Sequence, residues 1–176
     1  MTPAYRLHLN APVRAVFRSL LAAGLVLALD ACAASAVTDD NPRPYDEKAD
    51  ARAAVAAAIA DNPERKRILL TFGANWCSDS RALEAHYRSP ELSPLLTREF
   101  KVVHIDVGVR DVLDRNTDLV QQYGNPTDKG IPSVVLLDAD GKMLFVNHGA
   151  LSNAGLMKAS AVQRYFERLA RDNRVD

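Results

Sequence analysis

Hydrophobic and polar positions along this chain fall into short blocks, each with its own period. Ile68-Leu69-Leu70-Thr71-Phe72 is apolar with almost no polar alternation, the pattern of a buried strand. It runs into the turn Gly73-Ala74-Asn75, and a helix-forming segment then continues from the cysteine at 77 to about Tyr87, where Ser89-Pro90 breaks it. Upstream, the alanine-rich stretch from about Asp46 to Ala60 is strongly helix-prone, with Val55 and Ile59 four apart on one face. Downstream, a short helical piece is predicted from Pro90 to Thr97. Phe100 to Val107 then reads as a strand covered on both faces. A helix is predicted from Asp111 to Tyr123, with Leu113, Leu119, Val120 and Tyr123 inward. Val134–Leu137 and Met143–Val146 flank Asp138-Ala139-Asp140-Gly141 as a hairpin. The last helix is predicted from about Asn153 to Ala170, with Leu156, Val162, Tyr165, Phe166 and Leu169 on its core side. The sum is a single α/β domain over residues 46–176, long enough to bury a real core.

Residues 1–36 follow a different pattern. Arg6, Arg14 and Arg18 precede the apolar run Ser19–Leu29, which is too short to span a bilayer but fits the core of a signal peptide. Ala34-Ser35-Ala36 then supplies a cleavage signature before Val37. A second reading stays open, because Leu29-Asp30-Ala31-Cys32 resembles the lipobox of bacterial lipoproteins, with Asp30 a departure from it. Cys32 would then be lipidated and anchor the protein to a membrane. Both readings imply export, to the periplasm or to a membrane facing it. The proline-broken segment 37–45 reads as a linker.

Charge adds only exclusions. The chain carries 22 Lys+Arg against 22 Asp+Glu, so no basic field invites nucleic acid. Loss of residues 1–36 leaves 19 basic and 21 acidic residues. No Cys/His cluster has metal-ligand spacing and no phosphate loop is present, so no metal and no cofactor are expected. A monomer is expected.

The cysteine count does change the picture. Export consumes or discards Cys32, which leaves Cys77 as the one thiol and rules out an internal disulfide. Cys77 falls where a buried strand meets a helix N-terminus, and the free N–H groups and dipole there favour a thiolate. Trp76 would shield one side of the sulfur. Ser80, one turn on, can donate a hydrogen bond to it, whereas Asp79 opposes a thiolate unless it points away.

Strand, Trp76-Cys77-Ser78-Asp79-Ser80, helix, and the later Ile131-Pro132 before a strand resemble thioredoxin-like proteins over roughly residues 46–172. The resemblance implies the thioredoxin fold, a central mixed β-sheet flanked by helices. It also implies a cis Ile131-Pro132 peptide packed on Cys77, with the Ile131 backbone free to pair with an extended client segment. Two departures matter. Ser80 stands where the family's second cysteine would be, and Thr71 where many thioredoxins bury an aspartate. Cys77 and Ser80 are therefore the expected catalytic residues of a monothiol site, and Trp76, Ile131 and Pro132 its substrate-binding residues. The partners are client thiols or disulfides, or a low-molecular-weight thiol. Two rivals stay open: a redox-inactive binding module on the same fold, and a redox sensor. His86 is expected to lie too far along its helix to reach Cys77, His104 to be a packed strand histidine, and His148 to be solvated.

Overall fold

The computed structural model describes residues 42–175; residues 1–36, expected to direct export, Cys32 among them, and residues 37–41 of the expected linker lie outside them. Four strands form one sheet: β1 (Arg67–Gly73), β2 (Phe100–Asp106), β3 (Ser133–Leu137) and β4 (Met143–Val146). Their spatial order is β2-β1-β3-β4, with β1 parallel to β2, and β3 antiparallel to both β1 and β4. Helices α1 (Ala51–Ala60), α2 (Ser78–Tyr87), α3 (Ser93–Glu99), α4 (Thr117–Gln122) and α5 (Ala159–Asp172) cover the two faces.

The unbroken apolar runs have a direct cause. Alternate residues of β1 enter different cores: Ile68, Leu70 and Phe72 pack with α1 and α4, whereas Leu69 packs with α2, α3 and α5. Strand β3 divides in the same way, Val135 and Leu137 to one side, Val134 and Leu136 to the other. The mixed topology places the site. Phe72 pairs with Ser133 and Gly73 with Asp106, so β1 ends where β3 begins. Residues just after Gly73 and just before Ser133 therefore share one end of the sheet.

Four expectations need correction. Helix α1 starts at Ala51, because Asp50 caps it, its carboxylate accepting from the Ala53 N–H at 2.9 Å; residues 46–49 form a turn. Strand β2 is the sheet's edge among the described residues, and its middle is half-exposed where two covered faces were expected. The helix expected from Asp111 begins only at Thr117. Asp111, Leu113 and Asn116 have φ of 68°, 51° and 52°, and polar side chains hold the loop in place of helical bonds. Asp114 accepts from the Val109 N–H, and Asn116 donates to the Asp106 carbonyl. Finally, α5 starts at Ala159, after a separate 3-10 turn at Ala154–Leu156, and Met157 is extended. Leu156, expected in the core, is 87% exposed, because its turn docks on α2: the Gly155 N–H donates to Asp79 at 2.9 Å.

Candidate functional site

Strand β1 delivers the chain to the turn 74–76, closed by the Cys77 N–H donating to the Ala74 carbonyl at 3.1 Å. Cys77 is the N-cap of α2, with an extended backbone and no side-chain capping bond. Its half-buried sulfur is a free thiol. The Sγ lies 3.6 Å from the carbonyl oxygen of Ile131, to which it donates. The Ile131-Pro132 peptide is cis. Cys77 and Ile131, 54 positions apart, thus meet at the end of the sheet.

Trp76 forms one wall. Its Nε1 donates to the Gly108 carbonyl at 2.7 Å, and the Arg110 guanidinium stacks 4.8 Å from the ring centroid. The wall thus depends on the loop 107–116, which replaced the expected helix. Asp106 steadies that loop by accepting from the Gly108 N–H at 3.0 Å and from Arg115 at 2.5 Å. Burial raises the Asp106 pKa above its ordinary value, and the Gly108 and Arg115 contacts offset part of this. The start of β3, next to Pro132, is fixed by Asn147, which is buried. Its side-chain oxygen accepts from Ser133 Oγ (2.5 Å), the Val134 N–H (2.8 Å) and the Gly149 N–H (3.3 Å).

Ser80 is fully buried behind the turn. Its hydroxyl accepts from the Ala74 N–H at 3.5 Å and shares the space beneath Gly73 with the Tyr45 phenol, where a Cβ would lie 2.7 Å from Ser80 Oγ and 2.3 Å from the phenol oxygen, so it faces away from the sulfur it was expected to assist. Asp79 is turned to the Gly155 N–H. Thr71, at the acid's place, meets the Tyr87 hydroxyl at 3.2 Å. His86 reaches the Ala154 carbonyl at 3.3 Å, His104 pairs with Glu84, and His148 lies 3.2 Å from Asp128 near the surface.

Tyr45 is what a reading of blocks missed. It closes the segment taken as linker, yet it is 2% exposed. The Asn75 side chain grips its backbone twice, accepting from the Tyr45 N–H at 3.1 Å and donating to its carbonyl at 2.6 Å. A Cβ on Gly73 would lie 2.3 Å from the Tyr45 hydroxyl. The signal in the sequence was that glycine, at the end of a strand whose other residues are bulky.

A free thiol at a strand-to-helix junction, set against a cis-proline on a mixed sheet, defines a thioredoxin-type thiol protein. Comparison with known proteins agrees. Residues 54–161 match the model of the thioredoxin-like domain family, and the chain belongs to that family. It is 42% identical to a disulphide isomerase from Xylella fastidiosa Temecula1, over 73% of this chain and 97% of that one, with a TM-score of 0.68. It is 26% identical to a DsbH oxidoreductase over 52% of this chain and 67% of that one, with a TM-score of 0.41. No curated protein matches it.

Proposed function

We propose that this is an exported monothiol member of its family, in which Cys77 exchanges with disulfides of client proteins or of a small thiol. The observation that carries the reading is the placement of the Cys77 sulfur, half-exposed at the α2 N-terminus and 3.6 Å from the Ile131 carbonyl. The 42% identity to a protein described as a disulphide isomerase supports the same chemistry.

The steps balance with an external thiol supplied, two equivalents for each client disulfide reduced. The Cys77 thiolate attacks one sulfur of a client disulfide, forming a mixed disulfide and expelling the other client sulfur as a thiolate. That thiolate can exchange with another client disulfide, and the client thiolate so freed then attacks the client sulfur bonded to Cys77, which forms a rearranged client disulfide and releases the Cys77 thiolate. Otherwise an external thiolate attacks the client's sulfur of the mixed disulfide and releases Cys77, and a second external thiol removes the first, so the client is reduced and the external thiol oxidised. Trp76 and the Ile131-Pro132 segment line the approach. Ser80 carries no sulfur and cannot resolve the adduct from within.

Insulin reduction by dithiothreitol tests this. Acceleration by the protein, lost in Cys77→Ser, is the expected result. No acceleration by either form would leave a redox-inactive binding module.

A further inference from the structure

Tyr45 touches the residues on both sides of the nucleophile. Its backbone is held by Asn75, two residues before Cys77, in two hydrogen bonds of 3.1 and 2.6 Å. Its phenol passes beneath Gly73 and ends at Ser80, three residues after Cys77; a Cβ on Gly73 would meet the phenol oxygen at 2.3 Å and Ser80 Oγ at 2.7 Å. The ring is braced edge-on by His104, with centroids 5.4 Å apart. We infer that Tyr45 is a positioning residue for Cys77: it pins the turn 75–77 through Asn75 and holds the Ser80 hydroxyl away from the sulfur.

The inference rests on Cys77 being the reacting thiol. Residues at i and i+3 of a helix are neighbours, so position 80 lies beside the sulfur and its hydroxyl has only to rotate to reach it. It does not: Oγ accepts from the Ala74 N–H at 3.5 Å and lies with the Tyr45 phenol oxygen in the fully buried space beneath Gly73. Burial, with Tyr87 next and the charge of Glu84 further along, pushes the Tyr45 pKa well above its ordinary value, while Ser80 pulls it down. The phenol therefore stays un-ionised near neutrality, and a pH profile taken there reads the sulfur. This gives a residue outside the Cys-Ser-Asp-Ser motif control of how the motif's serine is used. Tyr45→Phe keeps the ring and its packing and removes only the hydroxyl. The freed Ser80 hydroxyl, buried and short of a partner, then turns to the sulfur, where it stabilises the thiolate.

The test is the rate of Cys77 alkylation by iodoacetamide against pH in the full-length protein, with thermal unfolding of each variant alongside. Tyr45→Phe is expected to raise the rate at pH 7 by about threefold to tenfold, because one charge-assisted hydrogen bond is gained, and to move the profile to lower pH. Adding Tyr45→Phe to Ser80→Ala should move the profile no further than Ser80→Ala alone. A merely structural tyrosine would lower the melting temperature and leave the profile in place. An unmoved profile in a folded, alkylatable Tyr45→Phe overturns the inference and spares the thiol reading, as does an equal shift in both backgrounds. A Cys77 that no variant allows to be alkylated overturns the thiol reading itself.

Discussion

The Nε2 atom of His104 lies 2.8 Å from a carboxylate oxygen of Glu84, across the gap between β2 and α2. Arg88, one turn further along α2, takes the other oxygen at 2.7 Å. Glu84 is only 8% exposed. Burial alone would raise its pKa, but the hydrogen bond and charge of His104, then those of Arg88, outweigh burial and hold it below the ordinary value.

The sign of the pH effect follows. The unfolded chain binds the Glu84 proton more tightly than the folded protein, so stability rises with pH in this window. The contribution is complete above the unfolded value of about 4.3 and is lost as pH falls through the lower folded value. Glu84→Gln should cost about 2 kcal/mol at pH 7, and its deficit should shrink toward pH 3. Thermal unfolding followed by circular dichroism at both pH values measures the difference.

Gly73→Ala would drive a methyl group against the Tyr45 phenol, whose backbone is held by Asn75. Overpacking of this kind costs about 2 kcal/mol. The urea midpoint should fall at unchanged slope, and the Cys77 alkylation rate should change with it because the turn must shift. In a Tyr45→Ala background the same alanine should cost less, with only the 2.7 Å approach to Ser80 Oγ left to relieve.

Asn147→Ala removes one acceptor that serves the Ser133 hydroxyl and the Val134 and Gly149 N–H groups. The Gly149 N–H keeps Ser133 Oγ at 3.2 Å, but leaving the Ser133 hydroxyl and the Val134 N–H without their acceptor should cost about 3 kcal/mol. Asn147→Asp keeps the acceptor and should lose less. Urea unfolding ranks the two, and the slower formation of a mixed disulfide with a model peptide should rank them in the same order.

Ser80→Cys restores a second thiol one turn from the first. Insulin reduction should quicken, because the variant can release its own mixed disulfide. Thr71, bonded to Tyr87, offers no carboxylate to move protons, so the gain should stay well below that of a complete dithiol site. Equal rates for Ser80→Cys and the parent protein would show that resolution is not the missing step.

Export is checked by mass spectrometry of protein purified from its host. The expected N-terminus is Val37, or a diacylated Cys32. An intact Met1 in the cytosol would exclude both.

Where a block's apolar pattern and its punctuation agreed, the chain was readable. Helix α2 from Ser78 to Tyr87 and the hairpin strand Met143–Val146 have the expected ends, because Ser89-Pro90 and Asp138–Gly141 leave the backbone little choice. The cis Ile131-Pro132 beside Cys77 followed from the family resemblance. Failures came where local polar bonds outcompeted periodicity. Leu113 packs inward as expected, yet from a loop whose shape is set by Asp106, Asp114 and Asn116. Leu156 is expected on the core side of the last helix and still faces solvent, since Asp79 captures its neighbour Gly155. Ser80 is expected beside Cys77, but its hydroxyl accepts from the Ala74 N–H and lies against the Tyr45 phenol beneath Gly73, and no local pattern marks a neighbour 35 residues upstream.

The double grip of Asn75 on Tyr45 bears on where this domain can be cut. The family likeness starts at residue 54, and a fragment trimmed there by homology would look complete, with its cysteine and cis-proline in place. Physically it would be a vessel without its stopper. A void the size of a phenol ring would open under Gly73, the Asn75 amide would lose both backbone partners, and water would reach the thiol from behind as well as from the front.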